Sequence, residues 1–308
     1  MGVTTRFRSG VATDPGLLRP RNEDRYWLDN ERGIFLVVDG VGGRAAGEQA
    51  AETAVKAIRD YLHSSAGAAE QRVRAAITAA NNAIHAQAQE REEFQGMACV
   101  LTLALVEDDR ITIGHVGDSR LYLFWNGTIR KLTSDHSPVG EREDRAELSE
   151  EEAMLHPRRH EVSRDVGSEA RTATDRDFIE TRQCRFKPDA AILLCSDGLT
   201  DLLTSAEISE IVERYDGDPG HVAEELVNAA NNAGGKDNVT VIFVAGAEFR
   251  GRDSIEMREA RERHSITRPR TPNQDQQPDA RPGRMVYLML GLVMGLLIGA
   301  ALGRYLPW

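Results

Sequence analysis

The chain has 308 residues, 41% of them hydrophobic and 28% charged, which allows a large buried core and excludes wholesale disorder. Its formal charge is −11, unevenly spread: residues 250–308 carry +4 and residues 1–249 carry −15. So acidic a globular part excludes nucleic acid as a partner and suits a protein that holds cations. Three cysteines, Cys99, Cys184 and Cys195, are widely spaced without a CxxC pair, which argues against a disulfide framework or a thiolate zinc site.

In chain order, MGVTTRFRSG lacks the apolar stretch of a signal peptide, and Arg6 stands where a myristoylation motif has Ser or Thr. GLLRPRNED (16–24) reads as a polar turn, with Arg19 offering a guanidinium that can fork two phosphate oxygens. Apolar, β-branched runs predict strands at 33–39, 97–106, 110–118, 120–125, 190–197 and 239–246. Helical periodicity covers 46–63, 69–91, 205–215 and 220–233, with a short helix at 148–156. Consecutive strands joined by short turns, such as Asn126-Gly127, favour antiparallel pairing and an α+β layered domain. The polar stretch 134–175 is long for a connection and is expected to be a mobile functional loop.

Residues 250–284 form a polar, Pro-punctuated linker with a reach on the order of 30 Å if flexible throughout. From Met285 to Leu302 run eighteen residues without a charge, framed by Arg284 and Arg304. As a helix this segment spans roughly 27 Å, close to the ~30 Å hydrocarbon core. It is apolar all round and stands behind a polar linker, so a transmembrane helix at 285–303 is favoured over a buried core helix. Seven arginines between 258 and 284 place residues 1–284 in the cytoplasm, and leave 304–308 as a short external tail. Gly291, Gly295, Gly299 and Gly303 recur every four residues, which fits a membrane dimer or the plain abundance of glycine in such helices.

The chemistry lies in the aspartates. Asp39 follows the run FLVV and precedes Gly40-Val41-Gly42-Gly43; Asp118 closes ITIGHVG; Asp197 closes AILLCS; Asp237 stands in GGKDN before VTVIFV. Any one reads as a turn. Together, at the ends of core strands, they would repel one another unless a cation neutralised them. All-oxygen ligands favour Mg²⁺ or Mn²⁺ over zinc. Two such ions sharing a carboxylate suit an in-line phosphoryl displacement. His115 and His136 read as packed, hydrogen-bonded residues.

In order, LLRPRNEDRY (17–26), VVDGVGGRAAGE (37–48), GHVGDSRLYL (114–123), LTSDHS (132–137), LLCSDGLTD (193–201) and KDNVTVI (236–242) closely resemble the metal-dependent PPM (PP2C-type) Ser/Thr protein phosphatases, particularly bacterial ones. The resemblance runs through residues 10–246 and implies a phosphatase domain at 1–249. The implied fold is a four-layer α-β-β-α sandwich of two mainly antiparallel sheets flanked by helix pairs. It implies a core site for two Mn²⁺ or Mg²⁺ ions, with Asp39 bridging, Gly40 giving its carbonyl, and Asp197 and Asp237 as further ligands. Asp118, sharing Asp197, would hold a weaker third ion. Arg19 would bind phosphate, Glu23 and Asp24 would orient water, and 138–175 would be the flap that influences substrate choice.

Substrates would be proteins phosphorylated on Ser or Thr, membrane Ser/Thr kinases among them, attacked directly by a metal-bridging hydroxide. Three departures stand out: Val41 replaces the histidine or methionine of relatives, VSRDVG (162–167) replaces an apolar run, and MACVL (97–101) replaces a GTT-like turn. The alternatives are a catalytically silent membrane adaptor and a switch phosphatase for one dedicated regulator.

Overall fold

The computed structural model describes residues 7–42 and 46–251. These lie in one compact unit, Met1–Glu262. No helix among the described residues is long and apolar enough to cross a membrane. The segment 285–303 and its glycine face lie outside the described residues.

Ten strands make two five-stranded antiparallel sheets. In one, β1 (Phe7–Asp14), β10 (Val239–Gly246), β9 (Ala191–Cys195), β6 (Arg120–Trp125) and β7 (Thr128–Lys131) lie side by side. In the other the order is β2 (Arg25–Asp29), β3 (Ile34–Val41), β4 (Ala98–Glu107), β5 (Arg110–Val116) and β8 (Glu180–Arg185). Helices α1 (Ala46–Ser64) and α2 (Ala69–Glu90) cover the second sheet. A one-turn α5 (Asp197–Thr200), α6 (Ser205–Glu213) and α7 (Pro219–Asn232) cover the first.

The period of two along a strand decides which layer each side chain joins. On β3, Phe35 and Val37 enter the core between the sheets with Ile113, Leu121, Leu194 and Ile242. Ile34, Leu36 and Val38 point the other way, against Ile58 and Ile77 of the helices. Both faces of the sheet are therefore buried, which is why FLVV is a continuous apolar run and not an alternating one. Ala50, Ala54, Ile58 and Leu62 repeat every four residues on α1 and form its buried stripe. Each large apolar side chain so buried contributes about 1.5–3 kcal/mol.

The four-layer α+β architecture is the one expected. The strands β1, β2, β7 and β8 were not read from the pattern, because none is a fully buried apolar run: β8, for instance, is ETRQCR with no buried residue. Two expected strands end early. The β5 strand stops at Val116, and β9 stops at Cys195, so Asp197 opens α5 instead of closing a strand.

The stretch 134–175, expected to be a mobile loop with one short helix at 148–156, carries that helix as α4 (Glu150–Met154) and a second, α3 (Pro138–Asp144), that was not expected. Each is started by a capping serine, Ser137 and Ser149, whose hydroxyl accepts a backbone N–H of the first turn. Glu150 accepts hydrogen bonds from the Ser205 backbone N–H (3.1 Å) and hydroxyl (2.7 Å), fastening α4 to α6.

Candidate metal and phosphate site

Strand register brings the chemistry to one end of the sandwich. In the first sheet Asp14 pairs with Val239, Val241 with Cys195, and Cys195 with Arg120. The end of β1, the start of β10, the end of β9 and the start of β6 therefore share an edge. In the second sheet Arg25 pairs with Val38, Val41 with Ala98, and Leu101 with Val116, so the same end carries Asp39 and the turn after β5. Arg19, Glu23 and Asp24 lie on the loop joining β1 to β2, and Asp237 immediately precedes β10.

Asn238 fixes that loop. Its side-chain N–H groups donate to the Pro15 and Arg21 carbonyls at 2.9 and 2.8 Å, and its oxygen accepts from the Glu23 backbone N–H at 2.8 Å. Gly16 has φ +76°, and a Cβ there would collide with the Asp237 carbonyl, so only glycine lets the loop lie against the strand that carries Asp237. A Cβ on Gly40 would likewise collide with the Gly47 carbonyl at the start of α1. From the fastened loop, Arg19 Nη2 donates to Asp237 Oδ2 at 2.7 Å, with the Arg19 side chain 55% exposed.

The electrostatics are those of carboxylates crowded together. Burial, then Asp24, Asp197, Asp118 and Asp237, push the Asp39 carboxyl well above its ordinary value. Burial, then Asp197, Asp135 and Asp201, do the same to Asp118. Burial raises Asp24 to about 7 despite the hydrogen bond from Ser196. Ser196 Oγ donates to Asp24 Oδ2 at 2.7 Å, while Asp24 Oδ1 is buried with no hydrogen-bond partner among the described residues. An orphaned acceptor beside mutually repelling acids, all donors being oxygen, fits a site for hard divalent cations.

The flap closes one side. Arg159 Nε donates to Asp201 Oδ2 at 3.0 Å. His160 Nδ1 stands 3.4 Å from Asp201 and 3.9 Å from Asp197, and the contact with Asp197 draws the imidazole pKa upward. Asp118, Arg120, Glu150, Arg159 and Asp201 line an open pocket between flap and strands. Asp201 and His160 were missed by sequence reasoning. Asp201 was signalled by its place four residues after Asp197 on a helical turn, which puts both carboxylates on one face. His160, in a weakly periodic polar stretch, carried no signal.

Of the two histidines read as packed residues, His115 is buried, with Nδ1 2.9 Å from Thr102 Oγ1 and Nε2 3.1 Å from the Ser134 carbonyl. His136 is buried too and accepts the Gly117 backbone N–H at 3.1 Å. The three cysteines are free thiols. Val41 is 41% exposed beside the site and brings no titratable group.

Residues 21–228 match the family model described as protein phosphatase 2C; Arg19 and Asp237 fall just outside that span. The serine/threonine phosphatase stp of Listeria welshimeri is 35% identical over 241 residues, covering 75% of this chain and 93% of that protein. The crystal structure of the Mycobacterium tuberculosis serine/threonine phosphatase PstP/Ppp is similar with TM-score 0.70 and 30% identity, over 78% of this chain and 98% of that one. A structure of the PstP catalytic domain in complex with two manganese ions has TM-score 0.68 and 29% identity, over 78% of this chain and 97% of that one. The chain belongs to the protein phosphatase 2C family.

Proposed function

We propose that this chain, a serine/threonine phosphatase of the protein phosphatase 2C type, uses two Mn²⁺ or Mg²⁺ ions to remove phosphate from phosphoserine and phosphothreonine in proteins, and does so tethered to the cytoplasmic face of a membrane. The observation that carries the catalytic reading is the gathering of Asp39, Asp118, Asp197 and Asp237 with Arg19 at one end of the sandwich, where burial and the neighbouring acids push the Asp39 and Asp118 carboxyls well above their ordinary values. A relative of the same fold is described in complex with two manganese ions.

We assign Asp39, the Gly40 carbonyl, Asp197 and Asp237 to the ion pair, and Asp118 with Asp197 to a weaker third ion. When bound, the ions neutralise the acids and supply an activated water for in-line displacement at phosphorus. Arg19 is exposed enough to reach substrate, and its fork of N–H donors matches two phosphate oxygens. Its hydrogen bond to Asp237 aims it before substrate arrives. Asp24, with one oxygen held by Ser196 and the other without a partner among the described residues, is placed to orient water. With valine at position 41, the leaving serine or threonine oxygen takes its proton from water.

The tether rests on the uncharged run Met285–Leu302 between Arg284 and Arg304, long enough to cross a bilayer. It would concentrate the enzyme on membrane Ser/Thr kinases and their neighbours. The test is phosphate release from a phosphothreonine peptide with Mn²⁺, by wild type and Asp39→Asn, before and after chelation. Activity lost in both controls supports the metal mechanism; no activity in a folded sample moves the reading to a silent adaptor. For the tether, the full chain should sediment with membranes and a chain ending at residue 249 should not.

A further inference from the structure

The segment Asp135-His136-Ser137 lies between two things that matter: the turn carrying Asp118 and the two ends of the flap. On one side His136 takes both backbone groups of Gly117. Its Nδ1 accepts the Gly117 N–H at 3.1 Å, and its own N–H donates to the Gly117 carbonyl at 2.7 Å. Gly117 sits at φ +110°, and a Cβ there would collide with Val100. No other residue takes that backbone shape readily, and no hydrogen bond inside a strand holds it. The residue directly before Asp118 is thus held by one histidine.

On the other side the same histidine holds the flap. The Ser163 N–H and hydroxyl both donate to the His136 carbonyl, at 2.7 and 2.9 Å, and Arg164 Nη1 stands 3.2 Å from His136 Nε2. Ser137, the next residue, caps α3, where the flap begins. Asp135, the residue before, is held by Arg120 through Nε at 2.9 Å and Nη2 at 2.6 Å. The hub itself is therefore rigid, and it joins both ends of the flap to the turn before Asp118.

We propose that His136 is a positioning residue: it fixes the Gly117 turn so that Asp118 is held in place, and it passes the position of the flap to Asp118 and so to the affinity of the ion Asp118 holds. This rests on the assignment of Asp118 to the weaker third ion. Because Nδ1 accepts a backbone N–H, the ring proton of the neutral imidazole is on Nε2, which faces Glu180 Oε2 at 3.7 Å; Arg164, a donor only, packs beside that nitrogen without a hydrogen bond, and the flap is held through Ser163. Asparagine keeps a short acceptor for that N–H, and alanine does not.

The test is calorimetric titration of the full-length chain with Mn²⁺, comparing wild type with His136→Ala, His136→Asn, Ser163→Ala and Asp118→Asn, with unfolding temperature read in parallel. Loss of an outer partner of a ligand typically weakens a metal site by about 10–100-fold. We expect His136→Ala to weaken the weakest Mn²⁺ site at least tenfold while the two tighter sites hold. His136→Asn should recover most of that loss, and Ser163→Ala, which removes the hydroxyl bond on the flap side and keeps the backbone one, should show a smaller loss at the same site. Should His136→Ala fail to fold, the asparagine and Ser163 variants decide. Unchanged weak-site affinity in a folded His136→Ala, or in Ser163→Ala when alanine at 136 does not fold, overturns the coupling. A weak site that survives in Asp118→Asn overturns the assignment beneath it, a distinguishable failure.

Discussion

Two groups of buried acids lie side by side in this protein and are treated in opposite ways. Beneath the flap, Asp135 and Glu143 meet Arg120 at 2.6 and 2.7 Å, and Lys131 adds a second cation 3.5 Å from each acid. Burial pushes the Asp135 carboxyl up, but Arg120, Lys131 and their hydrogen bonds outweigh it and hold it below its ordinary value. Two positions before Arg120, Asp118 is also buried and is pushed up, by burial and by Asp197, Asp135 and Asp201. One group contains its own counter-charge. The other lacks it at its centre, since the arginines that reach it, Arg19 on Asp237 and Arg159 on Asp201, come from the exposed loop and the flap at its rim. The first is a complete structural unit; the second is completed from outside.

Substitutions that touch each group should therefore act with opposite signs on function and stability. Asp39→Asn should lower phosphate release by well over a hundredfold, beyond the upper end of what losing an outer partner of a metal ligand costs. In chelator the same change should stabilise the chain, because it removes a repelled charge. Arg120→Met should do the reverse, leaving Asp135 and Glu143 buried without their main partner and lowering stability by about 3–5 kcal/mol in urea unfolding. Arg19→Ala should cost about 1.5–3 kcal/mol of kcat/KM, the range for a hydrogen bond to a charged group, with urea stability nearly unchanged.

The pH dependence separates the groups further. In the metal-free chain Asp24 titrates at about 7 and Asp201 at about 6, against an ordinary 3.8. Their folded-state values are raised, so the folded state holds protons that the unfolded chain has released. Their stabilising effect is greatest below about pH 4 and declines as pH rises to 7. Asp135, held below its ordinary value, contributes in the opposite sense: its stabilisation is present above the ordinary carboxylate value and is lost as pH falls from there through its folded-state value. In chelator the unfolding temperature should drop by several degrees between pH 5 and 8, since about 1 kcal/mol moves it by 2–4 °C in a chain of this size. With Mn²⁺ the drop should largely vanish. The smallest effect expected is at the exposed pair Lys56–Asp60, 2.6 Å apart: Lys56→Ala should leave urea stability and the site nearly unchanged.

Legibility in the sequence follows burial. The strands whose two faces are both covered, β3, β4, β9 and β10, stood out as continuous apolar runs, and α1 and α2 as clear periodic helices. The strands β2 and β8 carry arginine, aspartate or glutamate, because one side of each faces no partner strand and less core. Asp39, Asp118, Asp197 and Asp237 were visible because each stands at the sharp end of an apolar run. Asp201 and His160 approach the same place through a helical turn and a folded-back flap, contacts that no local pattern encodes. His136 was legible only as a packed histidine, since its partners Gly117 and Ser163 lie 19 and 27 positions away.

The acids at the end of the sandwich are incomplete without divalent cations. The most direct measurement is the unfolding temperature of the full-length chain at pH 8, titrated with Mn²⁺, beside Asp39→Asn. Binding of ligand to the folded state alone must raise stability by mass action. A saturating rise in wild type, absent or much reduced in Asp39→Asn, is the predicted result. A wild-type curve that does not move with Mn²⁺ or Mg²⁺, in a chain whose metal-free stability does not fall with rising pH, would contradict it.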